Sequence, residues 1–344
     1  MKVLILKPSS LGDVVQALPL LRLIKKRVPK AEVSWWISSD LVSLFDGDPD
    51  LTRVIPFSRR AWGSPRHWGE VVRTVRDVRR ERYDWVLDLQ GLARSAAFTW
   101  FANGGVSVGL DDRREGASLV YDVAVSRPSP ESHAVEWYLE ALDAMGVPRS
   151  WDFDWLPART ELADEVQARL NGAGGPLVTL CPGARWTTKR WPIERFDTLM
   201  SGISNRHANA RFAIIGGRGD REMGEALTRS DPDRRIDLTG RTSLLGMVEW
   251  IRRSRMLITN DTGPMHVGAA LRMPVVGLFG PTDPRQTGPF GQIDRAIRPE
   301  SLDCAPCRKS TCRRHDFMEC LTSLSPERVL DQVLERWNEG MTVF

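Results

Sequence analysis

No stretch of this chain approaches the ~20 apolar residues that a membrane-spanning helix requires. The opening MKVLILKPSS joins only four apolar residues, Val3 to Leu6, ahead of Lys7. That is too short for the core of a secretory signal, so a cytoplasmic location is expected. Net charge is also small. Lys and Arg number 48 against 44 Asp and Glu, leaving +4. Such an excess does not indicate nucleic acid, but it suits an acidic small molecule or an anionic membrane surface. Cysteine is sparse and odd in number, at five, which agrees with a reducing compartment. The first strand is followed by neither GxGxxG nor a Walker lysine, which removes both standard nucleotide fingerprints there. Low-complexity tracts are missing too.

What remains is an ordinary soluble composition, 42% apolar and 27% charged, over 344 residues. That length suggests two domains. Short apolar runs alternate with amphipathic ones. KVLIL (Lys2–Leu6), EVSWWI (Glu32–Ile37), RVIPF (Arg53–Phe57) and DWVLDL (Asp84–Leu89) read as strands. Leu11–Val28 and His133–Gly146 read as helices, the second stopped by Gly146 and Pro148. After a Pro- and Gly-rich boundary ending at Gly172–Pro176, the alternation restarts with LVTLC, RFAIIGG, RIDL, RMLIT and PVVGLF. A last helix runs from Pro326 to Glu339. Strand–helix alternation in both halves predicts an α/β protein with two parallel-sheet domains, over 1–170 and 175–325. In such sheets ligands sit beyond the carboxyl ends of the strands, and a cleft between the domains is the natural site.

The loops after the strands therefore matter most. In KPSSLGDVV, Ser9, Ser10 and Gly12 place hydroxyls and amides at a helix start that favours anions. Asp13 is either an acid stabilising that helix or a carboxylate able to take a proton from a hydroxyl. CPGARWTTKRWP surrounds a Pro182-Gly183-Ala184 turn with Arg185, Thr187, Thr188, Lys189 and Arg190. The set suits a diphosphate, or is a solvated basic loop. IIGGRGDREMG either admits a nucleotide to the backbone or turns the chain.

MLITNDTGPMHVGAAL ends a strand on Asn260-Asp261-Thr262-Gly263 and restarts as a helix with Pro264 in its first turn. Asp261 would repel a phosphate, so it suits sugar hydroxyls or caps the helix. His266, near the positive helix end, is expected to be neutral. GLFGPTDPRQTGPFG follows the next strand as a shaped loop.

Two clusters complete the reading. Cys304, Cys307, Cys312 and Cys320 follow C-x2-C-x4-C-x7-C, with His315 between. Four thiols in seventeen residues permit a structural zinc, although a second C-x2-C knuckle is missing. FSRRAWGSPRHW and RTVRDVRRER are rich in arginine. The first mixes Arg59, Arg60, Arg66 and His67 with Trp62 and Trp68, either to grip acidic groups at a membrane surface or as packing.

The segments VLILKPSSLGDVVQALP, DLQGLARSA, PGARWTTKRWP, LTGRTSL, NDTGPMHVGAAL and GLFGPTDP together resemble the ADP-heptose:lipopolysaccharide heptosyltransferases of glycosyltransferase family 9. The cysteine pattern looks like that of many members. The resemblance implies a GT-B fold: two Rossmann-like domains facing a cleft, acceptor bound by the first, nucleotide sugar by the second. A C-terminal helix over 326–344 would return to the first domain.

It implies an inverting, metal-independent transfer of heptose from ADP-L-glycero-D-manno-heptose to the inner core of lipopolysaccharide. The acceptor would be a lipid A–Kdo type molecule, so peripheral attachment to the inner face of the inner membrane is expected. By motif, Asp13 is the general base. Asp261, Thr262, Gly263 and His266 contact the donor, and Lys189 with Thr187 and Thr188 meets its diphosphate. Ser10, Arg59 and Arg60 fall at acceptor positions. Some members carry a Thr-Thr pair four to five residues before the lysine, where this chain has Ala184 and Arg185. A nucleotide-sugar 2-epimerase of the same architecture, a transferase of another sugar, and a catalytically idle binding protein are the alternatives.

Overall fold

The computed structural model describes residues 1–58, 65–112, 115–170, 174–299 and 302–339. The chain divides into two units, Met1–Pro157 and Ala158–Phe344. The first contains strands β1 (Lys2–Leu6), β2 (Glu32–Ser38), β3 (Arg53–Phe57), β4 (Trp85–Asp88), β5 (Val106–Asp111) and β6 (Val123–Ser126). Its helices of eight residues or more are α1 (Leu11–Arg27), α2 (Trp68–Glu81), α3 (Ala93–Ala102) and α4 (Ala134–Asp143). The second contains β7 (Leu177–Cys181), β8 (Arg211–Ile214), β9 (Arg235–Asp237), β10 (Met256–Asn260), β11 (Val275–Leu278) and β12 (Ala296–Ile297). Its corresponding helices are α5 (Thr160–Leu170), α6 (Ile193–Arg206), α7 (Arg221–Thr228), α8 (Leu244–Arg252), α9 (Gly263–Ala270) and α10 (Pro326–Glu335).

Every strand pair is parallel. The sheets run β3-β2-β1-β4-β5-β6 and β12-β11-β10-β7-β8-β9. Counted from its own first strand, each has the same doubly wound order, so each unit is Rossmann-like. The central strands are apolar throughout because helices cover both faces; Val3 to Leu6 of β1 are fully buried. In the first core Trp36 packs against Phe98 and Phe57, with ring centroids 4.7 and 4.4 Å away. Helix α1 carries Asp13 in its first turn and Lys25, Lys26 and Arg27 in its last, matching its dipole. Buried Arg22 on α1 holds Asp48 through bonds of 2.7 and 2.6 Å and reaches the Trp155 carbonyl at 3.0 Å.

One expectation about a boundary gives way. The first domain does not extend to residue 170, because α5 packs on α8 within the second unit. The Arg159 amide there donates to Glu249 Oε1 at 3.2 Å. The described part of the final helix, Pro326–Glu335, packs within the second unit; residues 340–344 of that expected segment lie outside the described residues. Val329, Val333 and Trp337 join the core built on β7, β8 and α6. Gly202 of α6 admits Leu330 so closely that a Cβ would lie 2.8 Å from Leu330 Cδ2. Amphipathic pattern predicts that a helix buries one face; it does not name the surface that receives it.

Candidate functional site

An open parallel sheet has its crevice where neighbouring connections leave to opposite sides. That point lies between β1 and β4 in the first unit, and between β7 and β10 in the second.

In the first unit the chain leaves β1 as Lys7-Pro8-Ser9-Ser10 and enters α1. Asp13 Oδ2 accepts from both the amide and the hydroxyl of Ser10, each at 2.8 Å. This fixes one carboxylate oxygen to the helix start. Tyr138 of α4 donates its hydroxyl to the other, Oδ1, at 3.4 Å. Lys7 is buried, donates from Nζ to the Leu89 carbonyl at 2.8 Å, and lies 4.7 Å from the Tyr138 ring centroid. Burial pulls the Lys7 ammonium down, but Tyr138 and Asp13 outweigh it, leaving its pKa above the ordinary lysine value. Burial raises the Tyr138 hydroxyl, so it remains a donor at neutral pH.

Below these groups, Asp88 at the end of β4 accepts from the Tyr121 hydroxyl at 2.7 Å and from the Gln90 and Gly91 amides at 2.9 and 3.1 Å. Gly109 of β5 makes room for Tyr121, since a Cβ there would lie 2.2 Å from the ring. The sequence reading missed Lys7 and Tyr138. Lys7 is legible in KPSSLGDVV as a cation in the same segment as Asp13; Tyr138 reads as one more apolar position of α4.

In the second unit the loop after β7 is tied to the end of β10. Asn260 Nδ2 donates to the Pro182 carbonyl at 2.7 Å, and its Oδ1 accepts from the Trp191 amide at 3.1 Å. Lys189 Nζ then meets Asp261 Oδ2 at 2.6 Å, with the Trp186 ring centroid 4.9 Å away. The same oxygen accepts from the Thr282 hydroxyl at 2.6 Å. Thr282 belongs to GLFGPTDP, and nothing in one dimension joins it to Asp261, 21 residues before it.

The Lys189 pair answers the difficulty of an acid near a diphosphate. Asp261 is neutralised by the same cation that would meet the phosphates, and only Oδ2 is used by the pair and Thr282. Thr262 begins α9 in extended conformation, and its side chain makes no capping bond. Gly263 stands first in α9, where amide groups and the helix dipole favour an anion. His266 is buried on the same helix, 8% exposed.

Thr187 and Thr188 part company. Thr188 is buried and donates its hydroxyl to the Lys309 carbonyl at 2.9 Å, whereas Thr187 is exposed. Gly183 and Gly216 accommodate Asp220 of the IIGGRGDREMG loop. A Cβ at either would lie 2.6 or 2.9 Å from that side chain. Arg59 and Arg60 lie outside the described residues.

The four cysteines of the cluster are free and half-buried. Burial, then the facing Cys307, Cys304 and Cys312, push the Cys320 thiol up to about 11. The Met318 amide donates to Cys312 Sγ at 3.5 Å, and such bonds lower the Cys312 thiol. Among the described residues no group of three His, Cys, Asp or Glu is placed to hold a metal ion.

Comparison with known proteins adds the context. The family model described as glycosyltransferase family 9 (heptosyltransferase) matches residues 71–317. Lipopolysaccharide heptosyltransferase 1 of Pseudomonas aeruginosa is 31% identical, over 97% of this chain and 97% of its own. The solved structure of E. coli heptosyltransferase WaaC with ADP superposes with a TM-score of 0.77 at 25% identity, covering 98% of this chain and all of that one. A putative UDP-N-acetylglucosamine 2-epimerase from Listeria monocytogenes shares the fold alone, at 12% identity and a TM-score of 0.50 over 98% of this chain and 88% of that one.

Proposed function

The chain belongs to glycosyltransferase family 9 (heptosyltransferase), and from that premise we propose that it transfers heptose from ADP-L-glycero-D-manno-heptose to the inner core of lipopolysaccharide. The observation that carries the reading is the Lys189–Asp261 pair at the crevice of the second unit. It sets a cation beside a helix start, as a nucleotide diphosphate requires, and a carboxylate beside that cation for the sugar. Asp261, Thr262, Gly263, His266, Lys189 and the exposed Thr187 form the donor site. Thr188 supports it through Lys309. Ser10, Arg59 and Arg60 serve the acceptor, a lipid A–Kdo type molecule.

Asp13 is the base. One of its oxygens is held by Ser10 and the other is met by Tyr138. In the transition state it takes the proton of the acceptor hydroxyl, whose oxygen attacks the anomeric carbon. The bond from that carbon to the diphosphate oxygen breaks, the electron pair leaves with ADP, and one attack from the opposite face inverts the centre. Negative charge grows on the departing diphosphate. Lys189 and the start of α9 stabilise it, so this reading requires no metal in the transfer. No helix of the described chain is long and apolar enough to cross a membrane. In this reading the enzyme meets its lipid acceptor peripherally, at the cytoplasmic face.

The test is incubation of ADP-heptose with and without a Kdo-bearing lipid A, in the presence and absence of EDTA. Acceptor-dependent release of ADP, unaffected by EDTA and nearly abolished by Asp13→Asn, is the expected result. Isomerised donor without acceptor would favour an epimerase, and wild-type turnover by Asp13→Asn would reject the base.

A structural zinc on Cys304, Cys307, Cys312 and Cys320 is a separate proposal. The shared environment of the thiols supports it; the spacing of the described side chains does not fit it. Metal analysis of the purified protein decides, and a zinc content near zero rejects it.

A further inference from the structure

The first unit carries a surface that the transfer chemistry does not use. Trp68 and Val72 of α2 are 63% and 45% exposed, and Trp100 and Phe101 of α3 are 65% and 41% exposed. A soluble protein scatters single apolar residues over its surface, but Trp100 and Phe101 are large and adjacent, and Trp68 and Val72 lie along the first half of the neighbouring helix. The Trp100 and Phe101 rings meet edge to face at 5.0 Å, and α3 packs beside α2. Arginines adjoin them. Arg76, Arg79, Arg80 and Arg82 line one open depression with Asn103, which caps the end of α3 two residues beyond Phe101.

At the helical repeat, Arg76, Arg79 and Arg80 share the outward face of α2 with Trp68 and Val72. The acids of α2, Glu70, Asp77 and Glu81, gather on its flank. Glu81 is engaged by Lys2 at 2.9 Å and Arg53 at 3.3 Å. Among the described residues none of Arg76, Arg79, Arg80 and Arg82 forms an ion pair.

The geometry points to a membrane-docking surface: the α2–α3 face seats Trp68, Trp100 and Phe101 in the interface of an anionic bilayer while Arg76, Arg79 and Arg80 meet lipid phosphates. The charges alone would suit any polyanion. The exposed tryptophans select the bilayer, because an indole gains most at the boundary between headgroups and acyl chains. Neither feature suffices separately. Basic side chains add about fivefold each to binding near an anionic surface, and apolar side chains make the attachment persist. The inference deepens the functional reading above, in which the acceptor is a lipid.

The experiment is co-sedimentation of the full chain with vesicles, without donor or acceptor. Vesicles contain either phosphatidylglycerol with phosphatidylethanolamine, or phosphatidylcholine alone. The wild type should bind the anionic vesicles at least tenfold more tightly. Trp100→Ser with Phe101→Ser, and separately Arg76→Gln with Arg79→Gln and Arg80→Gln, should each weaken that binding at least tenfold. All these side chains are exposed, and matched thermal unfolding confirms the variants are folded. Turnover of a water-soluble Kdo acceptor without acyl chains should remain at the wild-type rate in both. Equal binding to both vesicles, unweakened binding by either variant, or preference for heparin over anionic vesicles would overturn the docking surface. Vesicle binding without transfer would instead reject the transferase reading and leave the surface standing.

Discussion

Lys189 and Asp261, 72 residues apart along the chain, meet at 2.6 Å with only 4% of the acid side chain exposed. The strand order places the loop after β7 beside the end of β10, and Asn260 stitches the two together. Lys189→Met therefore strands a buried carboxylate. Removing one member of a fully buried pair costs roughly 3–5 kcal/mol. Lys189 keeps 19% exposure and Thr282 still donates to Asp261, so about 2 kcal/mol is expected. Adding Asp261→Asn should recover part of that stability while ADP binding stays weak. Calorimetry and ADP titration read the two effects, and a double variant no more stable than Lys189→Met would reject the coupling.

Tyr138 and Lys7 should act on Asp13 through its ionisation. Both favour the carboxylate, so their loss should move the acid limb of the kcat/KM profile to higher pH. Tyr138→Phe and Lys7→Met should each move it in that direction. The limb does not belong to Lys7. Its folded pKa is raised, so its stabilisation is complete below the ordinary lysine value and fades only as pH climbs through the raised one. Unmoved limbs in both variants would show that neither group positions the base.

Gly183→Ala sets a methyl group 2.6 Å from the Asp220 carboxylate. Overpacking of this kind costs roughly 1–3 kcal/mol. Gly219, in the same loop as Asp220, has nothing within 4 Å. Thermal unfolding should thus fall by several degrees for Gly183→Ala and stay level for Gly219→Ala. Equal midpoints would remove the packing argument for Gly183.

The thiols should react in a fixed order. Cys312 is lowered, whereas burial pushes Cys320 up to about 11 and Cys181 up to about 12. At pH 8 the last two hold roughly a thousandth or less of their thiolate. Mass-resolved alkylation should label Cys312 first and Cys181 last. Faster labelling of Cys181 would contradict its burial.

Much of this was legible before the fold. KVLIL, RVIPF and LVTLC match their strands to the residue. KVLIL and LVTLC do so because a covered parallel strand is a short apolar run with no competing pattern, and RVIPF, the partly exposed edge strand, because β-branched and aromatic residues mark it. The strands β5, β6 and β12 were not anticipated. β6 is a four-residue edge strand with largely exposed side chains, and β12 spans two residues. Neither length nor alternation marks them. The loops that hold Asp13, Lys189 and Asp261 were legible as loops after strands, but their partners were not. Thr282 and Tyr138 approach from distant parts of the chain. Thr188 reads like Thr187 in one dimension, and only burial tells them apart.

Salt should separate the two electrostatic features of the molecule. The arginines of α2 stand in water, where ions at 0.15 M weaken attraction beyond about 8 Å. The Lys189–Asp261 pair is sheltered and close. A saline wash would therefore loosen the protein's hold on a bilayer and release part of it, while leaving the Lys189–Asp261 pair closed. Released material would keep its full affinity for ADP, so the enzyme recovered in the wash and the enzyme left on the lipid should differ in address and in nothing else.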